Sequence, residues 1–428
     1  MSFTSAPGFT PRWSDVYLAA VTRAIDNGGD MLAAVALTLA LQERGFGGIA
    51  VSALLVGTAI PPMVLAPVTG RAADRFDSRT LIVSLGLLQV AICTLLAFAT
   101  SVYAIVGLVT ALSAAVSFTA PALSALTPAM VGRDNLAKAS GIMQTAVMAG
   151  NLLAPALGGV LVGRFGPHIP LLIDAGTCLA VPAAGLLLRT RRRGGVSNNE
   201  APEPVSAETV TWSIWRDPLV RPLVMLFGAV IGAVVAVNVV DVFFVRGTLH
   251  ASATMYGLLS ALWMAGMLGG TVLFSRLKPA DGRSARHLLI VLAGTSGVVA
   301  VVGLVPSISW VLPLWIIGGL TNGGENVLTG VLLGRRAPDT ARGRAFATFG
   351  AVANGATAIG LIAGGLLLTV ASPRPIIIGT GLAGLLVIVP FVLPVLRAAR
   401  RDETPANADS IPPSETASAQ VTDPVAMA

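Results

Sequence analysis

Three ionisable residues share one otherwise apolar stretch near the start of the chain, TRAIDNGGDMLAA. Arg23, Asp26 and Asp30 are spaced by three and four positions, so a helix would place them on one face. If that helix crosses a membrane, each charge costs roughly 3 kcal/mol or more, which makes it a functional candidate. We expect one aspartate to carry a proton, and we prefer Asp30 because Arg23 is the nearer partner of Asp26. The alternative is a permanent Arg23–Asp26 ion pair, with Asp30 hydrogen-bonded to a neighbouring helix.

A second deep acid is Glu325, in the segment GGLTNGGENVLTG, with Asn322 and Asn326 on or beside its face. It is a candidate for recognising a cationic substrate or for carrying a second proton; a structural acid with satisfied hydrogen bonds is the alternative. Amides in membrane helices commonly bond to a neighbouring helix. The further candidates for lining a substrate cavity are Asn151, Asn354 and Trp263.

The remaining polar residues within apolar stretches predict less chemistry. Asp241 and Arg246 suggest an extracellular gate or a solvated pair, and Asp174 is expected to reach the outer interface. Cys93 and Cys178 lie in different apolar stretches and are interpreted as small packing residues, since free cysteines are often buried. With three scattered histidines, the sequence predicts no metal site.

The elements that must position these residues follow from composition. Hydrophobic residues make up 54% of the 428 positions and the mean hydropathy is +0.80. A soluble protein of this size would not bury so much apolar surface, whereas lipid accepts it. About 20 apolar residues cross a bilayer as a helix, which pairs its own backbone groups. The predicted spans are 15–41, 48–70, 80–100, 102–130, 138–163, 168–188, 219–245, 253–275, 286–305, 308–334, 344–371 and 375–396.

The basic residues predict the orientation of these spans. Most of the 28 lysines and arginines fall at one set of loops and span ends, including 71–79, 189–193, 335–344 and 397–401. Short loops rich in Lys and Arg stay in the cytoplasm. Both termini are therefore predicted to be cytoplasmic. The net charge of +7 reflects this bias, and no nucleic-acid partner is expected.

The order of segments predicts two halves. We divide the chain into a cytoplasmic amino terminus (1–14), a six-helix half (15–188), a cytoplasmic linker (189–217), a second six-helix half (218–397) and a disordered cytoplasmic tail (398–428). The segment 138–162 aligns with 344–368 at a constant offset of 206, which matches two double glycines, Gly158-Gly159 and Gly364-Gly365. Such repeats are common in secondary transporters, which place the substrate site between them. The fold class is an all-α membrane protein with twelve spans in two pseudo-symmetric halves.

A charged loop between the second and third spans reads GRAADRFDSRT, residues 70–80. It resembles the signature loop of the major facilitator superfamily, and Gly70, Asp74, Arg75 and Arg79 match that pattern. Segments such as PALSALTPAMVGRDNLAKA and WRDPLVRPLV are similar to the 12-helix drug:proton antiporter branch, which includes macrolide exporters. A "GD" pair in the first helix is common in that branch, and Gly29-Asp30 matches it.

The loop also has a physical interpretation as a cytoplasmic gate. A carboxylate such as Asp74 is favoured near a helix N-terminus, and Arg75 is able to pair with an acid such as Asp134 on a neighbouring helix. Pairs that form only when the inner ends of the helices converge favour the state closed to the cytoplasm. Arg71 and Asp77 are interpreted instead as charges that hold the loop inside.

The fifth span contains AGNLLAPALGGVLV, residues 149–162, which resembles the antiporter signature of exporters in this superfamily. Pro155, Gly158 and Gly159 match, and Ala154 replaces the first glycine. Generic packing of small residues between helices is the alternative. The predicted fourth span carries no charge, although drug exporters of this superfamily often have an arginine there.

These resemblances imply a non-enzymatic transporter of the bacterial inner membrane that exports small amphipathic compounds, such as drugs, by proton antiport and alternating access. The expected partners are a small-molecule substrate, protons and the lipid bilayer, with a monomer as the working unit and no cofactor beyond the proton gradient. No Walker-type G-x-x-x-x-G-K-[ST] motif is present. The alternatives are an exporter of one metabolite, such as a siderophore or a self-made antibiotic, a proton-coupled importer, or a non-transporting scaffold or sensor.

Overall fold

Helices account for nearly all of the ordered secondary structure in a computed structural model of the chain. The structure describes residues 11–132, 134–190, 212–277, 281–338 and 341–403; the side chains of 70, 73, 74 and 401–403 are not among the described ones. No strand occurs in these ranges. Most of the predicted linker and tail, namely 191–211 and 404–428, lies outside the described residues.

Twelve helical spans follow one another along the chain. In the amino-terminal half they are Trp13–Glu43, Gly48–Arg75, Ser78–Phe98, Val102–Val131, Leu136–Phe165 and a sixth made of His168–Cys178 and Ala180–Leu187. In the carboxy-terminal half they are a seventh made of Val220–Val234, Val237–Val242 and Phe243–Thr248, then Ala253–Arg276, Asp281–Leu304, Ile308–Arg336, Arg342–Leu367 and Pro373–Glu403. They begin and end within a few residues of most predicted boundaries.

Eleven of these spans, all except the tenth, combine the length and the apolar composition needed to cross a membrane. The tenth, Ile308–Arg336, has 29 residues and carries Asn322, Glu325 and Asn326 near its middle. The seventh span ends in a π-helical turn, Phe243–Thr248. Such turns occur frequently at functional sites, and this one carries Arg246.

The charged segment 70–80 is less of a loop than the sequence indicates. The second helix continues to Arg75, and the third begins at Ser78, so only two residues separate them. Asp77 is the N-cap of the third helix, where its carboxylate accepts hydrogen bonds from the backbone N–H groups of Arg79 and Thr80. Asp77 therefore has a capping role in addition to its charge, which the sequence interpretation missed.

The six spans of each half pack mainly on one another. The first span packs on the fifth and sixth, and the second on the fourth; in the other half the eighth packs on the tenth and the ninth on the twelfth. The halves meet along two seams, one between the fifth and eighth spans and one between the second and eleventh. Each seam thus pairs a span that bears a double glycine with a span of the other half.

The double glycines have equivalent places in the two seams. The first member of each pair faces its own half: a Cβ on Gly158 would lie 3.3 Å from the Leu32 carbonyl oxygen, and one on Gly364 would lie 2.6 Å from that of Ala236. The second member faces the other half. A Cβ on Gly159 would lie 2.8 Å from the Gly257 Cα, and one on Gly365 would lie 3.0 Å from the Gly48 carbonyl oxygen. At both seams, therefore, the close approach of the helices requires glycine at these positions.

The seams lie at the end of the molecule away from the linker. Two side-chain contacts also join the halves there. The Ser52 hydroxyl donates to the Leu361 carbonyl over 2.7 Å, and Arg246 pairs with Glu43 over 2.7 Å. The halves are thus held together at the end that the sequence predicts to be extracellular.

Candidate functional site

Three carboxylates form an acid cluster inside the amino-terminal half, made of Asp26, Asp30 and Asp174. The first two lie one helical turn apart on the first span and are half-buried, while Asp174 of the sixth span is fully buried. Asp174 acts electrostatically on both Asp26 and Asp30. The expectation that Asp174 reaches the outer interface is wrong, because its side chain points inward against the first span.

Gly29 explains how the first and sixth spans approach so closely. A Cβ at this position would fall 2.6 Å from the Asp174 Oδ1 atom and even closer to the Thr177 hydroxyl. Only a glycine leaves room for both side chains. The neighbouring Gly28 is less crowded, since its Cβ would meet the Gly150 backbone at an ordinary 3.8 Å.

Arg23 has a different partner from the one that the alternative hypothesis requires. Its guanidinium donates to the Ser124 hydroxyl of the fourth span over 3.1 Å. Among the described ion pairs there is none between Arg23 and Asp26. The permanent Arg23–Asp26 pair is therefore not what the structure contains, and Asp26 has no such cation bound to it.

A cavity of about 290 Å³ lies between the first four spans and reaches Asp30. Its walls are mostly aliphatic, and Asp30 is the one ionisable residue among them; they also include Met31, Leu37, Leu54, Thr58, Leu112 and Ser113. An apolar cavity with few polar groups has the character of a small-molecule site. Its one acid makes it suited to an amphipathic guest.

A second cavity, of about 340 Å³, lies between the first, fourth and fifth spans toward the linker end. It is more polar, with Arg23, Ser124, Ser140 and Gln144 among its lining residues. Along the first span, Asp26 lies one turn from Arg23, which lines this cavity, and one turn from Asp30, which lines the first cavity. Asp30 of the acid cluster thus borders the apolar cavity, and Arg23 borders the polar one.

Glu325 has a different environment. It is 4% exposed, and its two carboxylate oxygens accept hydrogen bonds from the Thr295 hydroxyl of the ninth span and from the Asn322 amide. The Thr295 hydroxyl also lies 2.7 Å from the Thr321 hydroxyl. These contacts match the alternative in which Glu325 is a satisfied structural acid, and they turn it toward the ninth span.

The other predicted cavity residues lie apart from one another. The Trp263 ring packs edge to face on Trp315, with centroids 5.6 Å apart, and lies against Gly318. The Asn326 amide donates to the Asn322 carbonyl of its own helix, and Asn354 is exposed. The side-chain Oδ1 atom of Asn151 is buried without a hydrogen-bond partner among the described residues. Their role at a substrate site remains a prediction.

The two charges at the outer end of the seventh span do not pair with each other. Asp241 lies 3.4 Å from the Tyr256 hydroxyl, within the carboxy-terminal half. Arg246 donates to the Ala251 carbonyl and pairs with Glu43 of the other half. Arg246 therefore belongs to a contact between the halves, whose acid, Glu43, the sequence interpretation did not single out.

The predicted cytoplasmic gate is only partly described. Arg79 donates to the Leu186 carbonyl over 2.9 Å, which joins the third span to the end of the sixth. Arg75 and Asp134 are both exposed and form no ion pair with each other. Gly70 and Asp74 lie on the second helix, and their side-chain positions are not among the described ones. In the antiporter motif, Pro155 presents its carbonyl oxygen to Gly257 across the seam.

The structure also brings together two residues that the sequence interpretation separated. The Cys93 and Cys178 sulfurs lie 3.1 Å apart, although 85 positions separate them, and the Asp174 carboxylate is within 4.8 Å of both. The only sequence signal was the spacing of Asp174 and Cys178, which places both on one face of the sixth span. The partner on the third span could not be found from that pattern.

One family model matches both halves of the chain. The model of the Major Facilitator Superfamily matches residues 19–246 and 238–427. The enterobactin exporter EntS of Salmonella typhi is 30% identical over 233 residues, which are 52% of this chain and 53% of that protein. The chain thus spans about half the length of the curated enterobactin exporters that it matches. The uncharacterized MFS-type transporter YfiS of Bacillus subtilis (strain 168) is 24% identical over 81% of this chain and 85% of its own length.

Among solved structures, a bacterial homologue of the iron transporter ferroportin in an inward-facing state superposes with a TM-score of 0.67. The alignment covers 90% of this chain and all of that one, at 18% identity. A likeness at this level of identity concerns the fold alone. It agrees with a multi-pass membrane protein of two helical halves.

Proposed function

We propose that this chain, which belongs to the major facilitator superfamily, exports small amphipathic compounds across the bacterial inner membrane in exchange for protons. The observation that carries the proposal is the acid cluster of Asp26, Asp30 and Asp174, beside an apolar cavity. The superfamily makes the chain a transporter. The proton coupling, the direction and the class of substrate are the proposal.

The acid cluster supports proton coupling through elementary electrostatics. Three carboxylates that share a low-dielectric site cannot all stay ionised, because desolvation and mutual repulsion both oppose it. The cluster is therefore expected to hold a proton or a cation. The charge of Arg23 acts on Asp26 in the opposite sense, but the Arg23 guanidinium is bonded to Ser124 and forms no ion pair with Asp26. Asp30 faces the cavity, so a cationic or polar guest in that cavity competes with its proton.

The seams support alternating access between the halves. The closed end is held by glycine backbone contacts, one ion pair and the Ser52 hydrogen bond. With the predicted cytoplasmic termini, the closed end faces the outside, and in this proposal substrate enters from the cytoplasm. The Arg75 and Asp134 side chains are unpaired with each other in this state, as expected for a gate that forms when the inner ends converge.

Export is favoured over import by two observations. Pro155, Gly158 and Gly159 resemble the antiporter signature; Pro155 and Gly159 line the fifth–eighth seam, and Gly158 packs on the first span. The match to an enterobactin exporter points the same way. That match also favours the second candidate function, export of one specific metabolite rather than a range of drugs.

The test is accumulation of fluorescent dyes and antibiotics in efflux-deficient bacteria. Cells would carry the wild type, Asp30→Asn or Glu325→Gln at matched membrane levels, each with and without a protonophore. We expect the wild type to lower accumulation, and the protonophore and Asp30→Asn to abolish this effect.

The outcomes separate the two candidates. If no compound of the panel responds, export of a range of drugs is excluded, and a comparison of secreted compounds with and without the protein tests export of one metabolite against a role other than transport. If Asp30→Asn exports as well as the wild type, Asp30 does not carry the proton. If export continues with a protonophore present, proton antiport itself is excluded.

A further inference from the structure

We propose that Cys93, Asp174 and Cys178 form a buried binding site for a thiophilic divalent cation, inside the amino-terminal half. The proposal does not depend on the transport function. Cys93 comes from the third span, and Asp174 and Cys178 come from the sixth. One sulfur or oxygen atom of each residue lies within 4.8 Å of the other two. The ligands of one tetrahedral ion lie about 3.5 Å apart, so these atoms are close enough to share an ion after small rotations of the side chains.

The two thiols are the only cysteines of the 428-residue chain. Both are essentially buried, with 0% and 1% of their surface exposed, and their sulfurs lie 3.1 Å apart. Two sulfurs bound to one tetrahedral ion at about 2.3 Å lie somewhat further apart, so binding requires only a small rotation of the side chains. Aliphatic residues surround them, including Ile92, Leu112 and Ala175.

The environment of Asp174 is an independent reason to expect a cation at this site. Asp174 is 0% exposed, and neither of its carboxylate oxygens has a donor at ordinary hydrogen-bond geometry among the described residues; the polar groups that act on it are the Cys93 thiol and the Thr177 hydroxyl. The adjacent Thr177 hydroxyl is engaged elsewhere, since it donates to the Asp174 backbone carbonyl. A buried carboxylate without partners is costly, and a cation beside it would remove that cost.

The donor set indicates the kind of ion. Two thiolates and one carboxylate suit zinc, cadmium and similar ions, which accept sulfur and oxygen ligands in a tetrahedron. Three protein ligands leave the fourth position for water. The magnesium and calcium ions prefer oxygen donors alone and do not fit.

Binding of the ion displaces protons from its ligands. Each thiol loses its proton when it binds the ion, so one divalent ion displaces the two thiol protons, together with any proton held by Asp174, and leaves the sulfurs as thiolates without oxidation. Asp30 and Leu112 line the 290 Å³ cavity next to the site, and Leu112 also packs on the cysteines. The cavity therefore approaches the site from the side of the first span.

The test uses the full-length protein, purified in detergent with a non-thiol reductant and stripped of metal, and titrated with cadmium. We expect one cadmium ion per chain, an ultraviolet cadmium–thiolate absorption, and release of at least two protons per ion. Because no other cysteine exists, this absorption reports on Cys93 and Cys178 alone. Asp174→Asn should weaken binding by at least ~10-fold, the loss that even an indirect partner of a metal produces.

The variants distinguish the site from chance packing. Cys93→Ala and Cys178→Ala should each remove the absorption, whereas Thr94→Ala, an exposed neighbour of Cys93, and Glu325→Gln should leave it unchanged. The proposal is overturned if the wild type shows no cadmium–thiolate absorption, or if cadmium binds without involving the thiols. It is also overturned if the thiols are joined by a disulfide that the reductant does not open. None of these measurements needs a substrate or a proton gradient, so they stand apart from the test of export.

Discussion

The two halves of the molecule are alike where they meet and unlike in the acids that they bury. Each seam uses the second glycine of a pair, Gly159 in one half and Gly365 in the other, to approach the partner half. The buried acids have no such symmetry. Asp174 of the amino-terminal half has no donor at ordinary hydrogen-bond geometry among the described residues, whereas Glu325 of the other half has a donor for each oxygen. The two halves thus share the glycine contacts at the seams, but they differ in whether the buried acid has hydrogen-bond donors.

The largest expected effect concerns this difference between the acids. Asp30→Asn should reduce substrate-driven proton movement to the background of empty liposomes. The asparagine amide, unlike the aspartate carboxylate, does not take up and release a proton during transport. Glu325→Gln should retain most of the activity, since glutamine keeps an acceptor for Thr295. The measurement is proton flux in proteoliposomes, followed with a pH-sensitive dye.

The comparison would fail if both variants lost proton movement equally while remaining folded. Glu325 would then be a working acid despite its hydrogen bonds. Proton uptake would have to be assigned to both halves.

A smaller effect tests the likeness of the seams. Gly159→Val and Gly365→Val should both weaken closure of the outer end and lower transport to similar extents, because each side chain would meet the backbone of the other half. Overpacking of this kind costs about 1–3 kcal/mol or more. Hydrogen–deuterium exchange at the outer ends of the eighth and second spans should rise in both variants.

The matched control for the fifth span is Gly141→Val, where a Cβ would meet nothing within 4 Å. Its exchange and transport should equal those of the wild type. Unequal effects of the two seam variants would mean that one seam bears the closure alone.

A local variant sharpens the account of the acid cluster. Gly29→Ala should lower the free energy of unfolding by about 1 kcal/mol, because the new Cβ displaces the Asp174 and Thr177 side chains. Gly28→Ala, with an ordinary 3.8 Å contact, should be close to neutral. Thermal unfolding of the two purified variants checks the difference, and equal midpoints would contradict the close approach of the first and sixth spans.

The smallest effect is expected at the ion pair between the halves. The side chains of Arg246 and Glu43 are 23% and 39% exposed, so Glu43→Gln should weaken closure by only ~0.5 kcal/mol. Exchange at the outer end should rise slightly. The double variant Glu43→Arg with Arg246→Glu should return it to the wild-type level, and a failure to do so would show that charge pairing is not what this contact contributes.

The sequence predicted the spans well, because a run of apolar residues has few alternatives in lipid. It also found Asp26, Asp30 and the double glycines, since each lies in a recognisable local pattern. It could not find the partners of these residues. Asp174 seemed to be an interfacial acid, and Cys93 seemed unrelated to Cys178, because both relations depend on how the third and sixth spans turn toward the first. Helix rotation is set by packing between spans, and a single sequence does not contain that information.

The burial of the two cysteines has a practical consequence for studying the motion of the halves. With 0% and 1% of their surface exposed, they offer no surface to thiol-reactive probes in the folded protein. A cysteine introduced at the outer end of the second or eighth span would be the one reactive thiol of the chain. The natural protein thus serves as its own unreactive background for spectroscopic labelling.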